Sequence, residues 1–386
     1  MEGFPVLEDL GDVSGKRVLL RADFNCPIAE GPDGKTVITD DYRIISTVPT
    51  IEWLLAHGAV VTVMSHFGRP KGKYDERYVL DPVEKRLAEL VGPVTFLENV
   101  RFNPGEETND DAFVQELIAG QDLYVNDAFA VSHRSHASVV GPPKYLPSAA
   151  GRQLEKEAQM MSKLLNEPER PFIAIVGGAK IADKLSLLKS LAQKVDAIVV
   201  GGGMSYTFQK ALGHTTGDSI VDESKIEACS ELLASGPRIL LPIDLIALKP
   251  GGKLDFSNNL SDEEKGETAM IGVDVPDGFE AADIGPKTRE YFSREIMSAA
   301  TILWNGPMGA FEDERFAGGS IAIAQAVANS NAFSVVGGGD SVRALNETGL
   351  EGKVSHVSTG GGASLELIEK GDLPGLIALR NAPKAH

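Results

Sequence analysis

Cysteine is nearly absent from this chain. Only Cys26 and Cys229 occur in 386 residues, one in each half, which excludes a disulfide-stapled scaffold and suits a reducing compartment. Basic residues are outnumbered, 37 against 55 acidic, and the resulting net charge of −18 argues against nucleic acid or an anionic membrane as partner. No apolar run approaches membrane-spanning length, and the acidic opening MEGFPVLEDLGDVSGKR has no signal-peptide core, so a cytoplasmic location is expected. The usual nucleotide signatures are missing too: there is neither a G-x-x-x-x-G-K-S/T loop nor a G-x-G-x-x-G turn, and no G-x-S-x-G elbow. The seven histidines are scattered, and the close pair His133 and His136 has no companions at zinc spacing.

What is present is a theme of short apolar runs that stop at polar or glycine turns. Phe172 to Val176 reads as a buried strand, Gly177 and Gly178 as a sharp turn, and Ile181, Leu185 and Leu188 as a helix. Lys180 and Lys184, four apart, then share a face at the positive end of that helix, a setting that attracts phosphate; a solvated lysine pair fits the same local pattern. AIVVGGGM, ATILWNGPMG, AFSVVGGGD and KVSHVSTGGGAS repeat the strand-then-glycine theme, so all five glycine turns are expected along one edge of one parallel sheet. In the first half, strands at Lys16–Ala22, Ala59–Met64, Val94–Leu97 and Asp122–Val125 end instead in turns carrying Asp23, Asn25, His66, Arg69, Arg101 and Arg134. A helix is read over Arg43–His57, with Pro49 inside it, and another over Pro82–Val91.

At this length two domains are the natural expectation. Gly151–Asn166 has helical period without internal glycine or proline and reads as the joining helix, although an ordinary surface helix of the first domain fits equally well. The fold expected is α/β: two Rossmann-like three-layer αβα domains with parallel sheets, joined by a helix and hinge. The domains run 1–166 and 167–370, with a tail 371–386 returning to the first. The aperiodic stretch between Ser235 and Val275 reads as a strand followed by an acidic surface loop without chemistry.

Arginine-rich strand ends suit a small anionic molecule held by bidentate forks, and glycine-rich ones suit a nucleotide. Fixed cations without an obvious nucleophile or base fit phosphoryl transfer to an acceptor that needs no deprotonation, such as a carboxylate with a pKa of roughly 4. RADFNCP, SHFGRP, ENVRF, NDAFAVSHRSH, GGAKIADK, VGGGM, DIGPKT, WNGPMGAFE, GGGDS and STGGGASLE, spread over essentially the whole chain, closely resemble the phosphoglycerate kinase family in order and spacing.

That resemblance implies glycolytic transfer between 1,3-bisphosphoglycerate with MgADP and 3-phosphoglycerate with MgATP, by an in-line route after domain closure, in a cytoplasmic monomer. It implies phosphoglycerate contacts at Asp23, Phe24, Asn25, Arg43, His66, Phe67, Gly68, Arg69, Arg101 and Arg134. Arg43, Lys180, Lys184, Gly361 and Gly362 would be catalytic. Lys180, Lys184, Gly201, Gly285, Glu312, Gly338, Gly339, Asp340 and Ser341 would hold the nucleotide, with Asp340 on Mg2+. The helix at 151–166 and the segment Ser358–Gly362 would serve as hinges. Ser341 stands where the family usually has threonine, Cys26 for valine and Phe67 for leucine. Ala130-Val131-Ser132 replaces a usual Gly-Thr-Ala, which would disturb the placing of Arg134 if that glycine needs positive φ.

Overall fold

Strands buried on both faces need near-continuous apolar runs, and the first-half strands have them. The computed structural model describes residues 3–31, 36–257 and 259–385. Its chain divides into two compact units, Met1–Ser162 with Gly362–His386 and Lys163–Gly361. In the first unit, β1 (Arg17–Arg21) lies between β2 (Val60–Met64) and β4 (Leu123–Asn126). The edges are β3 (Thr95–Phe96) and β5 (Ser148–Ala150), and every pairing is parallel. Leu19, Leu20, Val63 and Val125 are fully buried at its centre. Parallel strands end on the same side, so the turns after β1, β2 and β4 lie along one edge, where open sheets bind ligands.

Helix α1 (Tyr42–Ala56) carries Pro49 in its interior without breaking. Pro49 and Ile45, the residue whose carbonyl loses its helical donor, are both exposed, on the side of the helix where that loss is cheapest. Helix α2 (Asp81–Val91) has its proline in the first turn, where no backbone donor is needed. The long helix α3 (Arg152–Asn166) contains the division between the units, after Ser162.

In the second unit six parallel strands run in the order β8, β7, β6, β9, β10, β11. They are β6 (Phe172–Val176), β7 (Ala197–Val200), β8 (Arg238–Leu240), β9 (Thr301–Asn305), β10 (Phe333–Gly337) and β11 (His356–Val357). The five glycine turns follow β6, β7, β9, β10 and β11, on one sheet edge. A three-stranded antiparallel sheet joins Thr268–Ile271 and Leu245–Leu248, both inside the stretch Ser235–Val275 read as a strand followed by a loop, to Glu280–Ile284 beyond it. Thr268–Ile271 is a short, half-wet edge, which is why no apolar run marked it. Helices α4 (Leu185–Leu191), α5 (Pro286–Met297), α6 (Gly318–Asn329) and α7 (Gly339–Glu347) follow their turns. Helix α8 (Gly361–Lys370) then begins at the second division of the chain. Helix α9 (Pro374–Arg380) belongs to the first unit, where the Gly375 N–H donates to the Ser132 carbonyl at 2.8 Å.

One capping residue makes a pH prediction. Asp127 is buried, and its Oδ1 accepts from the Gln153 and Leu154 N–H groups that open α3, at 2.8 and 3.2 Å. Burial raises its pKa to about 6, against opposing hydrogen bonds from Thr50 and the α3 backbone. A folded-state value above the unfolded one means that this carboxyl's contribution is full below about pH 4 and is lost as pH rises to 6. Asp127→Asn keeps the accepting oxygen but cannot ionise. Thermal unfolding at pH 4 to 7 should show the wild type losing stability relative to Asp127→Asn across that window, on the order of 3 kcal/mol at most. Parallel curves for the two proteins would remove the carboxyl from the account.

Candidate functional site

In the first unit the polar strand ends are tied into one web. Asp23, just past β1, accepts from the Arg43 guanidinium on α1 and from the Asn25 N–H at 3.0 Å, and the His66 ring lies 3.8 Å away. Burial is the largest influence on Asp23 and opposes its ionisation. Arg43 first, with the Asn25 N–H and Arg21, outweighs it and holds the pKa at about 2. The Asn25 side chain accepts from the Gly68 N–H at 2.8 Å, and the Phe24 N–H donates to the Ser65 hydroxyl at 2.9 Å. Asn99, after β3, clasps both backbone groups of Phe67. Gly68 has φ of +60°, and a Cβ there would collide with the Tyr78 ring. Its carbonyl accepts from Arg101 at 2.8 Å.

His66 is buried, and its pKa is driven well below the usual value by desolvation first, with Arg21, Arg101 and Arg43 adding to that against Asp23. It is therefore neutral at physiological pH. Arg69 and Arg134 are exposed, and among the described residues no carboxylate pairs with either. His133 lies beside the start of α8, where a Cβ on Gly362 would sit 3.6 Å from its ring. The result is a strand edge carrying several guanidinium groups around one neutral imidazole, suited to a small molecule with more than one negative charge.

In the second unit the turns are built from main chain in close approach. The Gly202 N–H donates to the Met308 carbonyl at 2.9 Å and the Met204 N–H to the Gly178 carbonyl at 3.0 Å, lacing together the loops after β6, β7 and β9. Beside them is a cleft of about 190 Å³ lined by Gly178, Ala179, Gly203, Tyr206, Ile220, Phe256, Ala281, Pro307, Glu312 and Asp340, among others. Apolar walls with three carboxylates among the lining residues, Glu280, Glu312 and Asp340, suit a base and a ribose. A Cβ on Gly203 would lie 2.7 Å from the Ala179 carbonyl oxygen, so Gly203→Ala must push one wall into the cleft. Its expected effect is about a tenfold rise in KM for the nucleotide with KM for the acid substrate unchanged, measured by steady-state kinetics; equal nucleotide KM would show that the wall can yield.

Lys184 donates to the Asn305 side chain at 2.5 Å, and Asn305 in turn donates to the Gly337 carbonyl at 2.9 Å. The Ser341 hydroxyl accepts from the Gly306 N–H at 2.5 Å, so it braces the turn after β9, and threonine's extra methyl is not needed for that. Gly338 packs against Asn305, and Gly361 against Gly338. Gly339 and Asp340 are exposed at the opening of α7.

The structure differs from the sequence reading at two places. Lys180 and Lys184 do not share an α-helical face: Lys180 is extended at φ −116°, a tight single turn covers Ile181–Asp183, and α4 begins only at Leu185. Gly201 is packed on Met308, and Gly285 on the Asp244 carboxylate that caps α5. The stretch read as a loop without chemistry supplies Phe256 to the cleft wall. The Ala130-Val131-Ser132 departure introduces no strain, because only Lys71 and Asn109 have positive φ among the described non-glycine residues. The reading passed over Arg21, Asn99, Glu106, Ser138 and Asn305, buried groups that hold others in place.

A guanidinium-rich strand edge in one α/β unit, and in the other a cleft walled by main chain and a lysine fixed at the glycine turns, have the make-up of a nucleotide-dependent phosphotransferase. The family model described as phosphoglycerate kinase matches residues 7–98 and 91–371. A phosphoglycerate kinase of Dictyoglomus turgidum is 46% identical over 399 residues, 96% of this chain and 97% of that protein. One from Moorella thermoacetica is 45% identical over 402 residues, 97% and 98% of the two chains. The solved phosphoglycerate kinase of Coxiella burnetii superposes with a TM-score of 0.86 at 35% identity, covering 98% of this chain and 99% of that one. The chain belongs to the phosphoglycerate kinase family, and its activity is that of a glycolytic kinase with a carboxyl group as acceptor.

Proposed function

We propose that the first unit holds 3-phosphoglycerate or 1,3-bisphosphoglycerate and the second holds ADP or ATP with Mg2+, in a cytoplasmic monomer. The observation that carries this reading is the gathering of guanidinium groups around a neutral His66 at the strand ends of the first unit. Asp23, Asn25, Arg69, Arg101, Arg134 and the backbone of Phe24, Phe67 and Gly68 orient the acid, and His66 donates a hydrogen bond to it. Arg43 and Lys184 neutralise the phosphoryl group in flight, with Lys180 and the Gly361 and Gly362 N–H groups beside them. The acceptor carboxylate arrives ionised, with a pKa of roughly 4, so no general base is required.

Gly338 to Ser341 would carry the phosphates, and Glu312 the ribose. Among the described residues there is no cluster of three side chains able to hold a metal by themselves. An exposed Asp340 at the cleft rim fits a cation that arrives bound to nucleotide, since Mg2+ commonly takes one carboxylate and fills its other positions with phosphate and water. Bound there, Mg2+ would offset charge on the phosphate oxygens. Closure of the two units, with α3 and Ser358–Gly362 as hinges, would allow direct in-line transfer. Among the described residues no helix is long and apolar enough to cross a membrane.

A coupled assay for ATP formed from 1,3-bisphosphoglycerate and ADP tests the reading, together with competition by 3-phosphoglycerate. Tight binding of the acid without turnover would replace the kinase with a two-lobed anion binder. Turnover indifferent to 3-phosphoglycerate would point to another acyl phosphate as substrate.

A further inference from the structure

Beneath the acid-binding edge lies a row of buried polar groups, fully shielded except for a trace of exposure at His66. Arg21 ends β1, fully buried; its Nε donates to the Ser138 hydroxyl at 2.8 Å. Ser138 sits in the short helix Ala137–Val140 and is gripped twice by Glu106. Its N–H donates to Oε2 at 2.8 Å and its hydroxyl lies 2.6 Å from Oε1. At the other end of the guanidinium, Nη2 lies 3.2 Å from His66 Nδ1.

The direction of each bond follows from the inventory of donors. A guanidinium has no lone pair to offer, so Arg21 donates at both ends. Ser138 has one hydroxyl proton; since its oxygen accepts from Arg21, that proton goes to Glu106, which must be ionised. His66 Nδ1 has the Arg21 donor at 3.2 Å and the Asp23 carboxylate only at 3.8 Å, beyond hydrogen-bond reach, so it accepts and the ring proton is left on Nε2. Reversing the histidine tautomer would set two donors against each other in a buried place. Glu106 also gives the buried Arg21 a nearby negative charge, which Asp23, already engaged by Arg43, supplies less directly. His136 lies 3.6 Å from Glu106, too far for a hydrogen bond.

We infer that Glu106 is a positioning residue for phosphoglycerate binding: through Ser138 and Arg21 it locks His66 in the tautomer whose Nε2–H is free to donate to the bound acid. This rests on the assignment of the first unit's edge to the acid, so the test has one arm that needs no substrate. Nitrogen NMR of the His66 ring in the unliganded wild type should show the proton on Nε2 alone. In Glu106→Gln the ring should become a mixture of tautomers, KM for 3-phosphoglycerate should rise about tenfold, and KM for ATP should stay unchanged. If Glu106→Gln does not fold, Ser138→Ala, which keeps the carboxylate and removes the hydroxyl link, must show the same tautomer mixture and the same split in KM. A proton on Nδ1 in the wild type, or a folded variant with His66 and both KM values unchanged, overturns the inference. Absence of any response to 3-phosphoglycerate in a wild type whose tautomer is as stated would instead overturn the assignment of the edge.

Discussion

Lys184→Ala lowers turnover by at least about a hundredfold, and toward a thousandfold, while the second unit keeps its fold. The ammonium is not a loose surface charge. Asn305 fixes it at 2.5 Å and is itself fixed on the Gly337 carbonyl, so the cation is held at the glycine turns before any substrate arrives. A preorganised charge helps most where charge moves, and in phosphoryl transfer that is the oxygens of the group in flight. The loss should therefore appear in kcat more than in KM for the nucleotide. The side chain is only half-buried and lies outside the core cluster of Ile175, Val199, Ile302, Trp304 and Val336, so the melting temperature should move little. Steady-state kinetics with thermal unfolding of the same samples checks both halves, and an unchanged kcat in a folded Lys184→Ala protein would remove the lysine from the transfer step. Asn305→Ala, leaving the charge but not its anchor, should lose less.

That pair also marks where the sequence stops being legible. Residues at strand ends were readable because the chemistry and the turn are neighbours in the chain: Asp23 and Asn25 follow β1 directly, His66 to Arg69 follow β2, and each glycine turn follows its own strand. What holds those residues in place was not readable. Ser138 lies 117 positions from Arg21 and Asn305 lies 121 from Lys184, and nothing local to a buried serine or asparagine says which distant cation it will meet. The lysine pair failed for a related reason. Spacing of four implies a shared face only if the helix exists, and here the glycines and an extended Lys180 delay it to Leu185. Ser148–Ala150 gave no strand signal because it has no β-branched or large apolar side chain, yet the sheet accepts it as an edge.

Arg43→Ala costs turnover on the same scale, about a hundredfold or more, and should leave a second mark that Lys184→Ala does not. Arg43 is the strongest influence holding Asp23 ionised against its burial. Without it the carboxyl remains buried with its main counter-charge gone, and its pKa must rise from about 2. A group with a depressed folded-state value contributes stability above its unfolded pKa, near 4, and loses it as pH falls through the folded one. The variant forfeits that contribution, so its acid unfolding should begin at higher pH than the wild type's. Arg43→Lys separates charge from shape. A lysine can restore a point charge for Asp23 and so return much of the acid stability. It cannot present one fork to the carboxylate and another donor pair to a phosphoryl group, so activity should recover only slightly. Full activity in Arg43→Lys would mean that charge alone suffices at this position. Full activity in Arg43→Ala would mean that the arginine serves only to keep Asp23 in place, with the transferring group stabilised elsewhere.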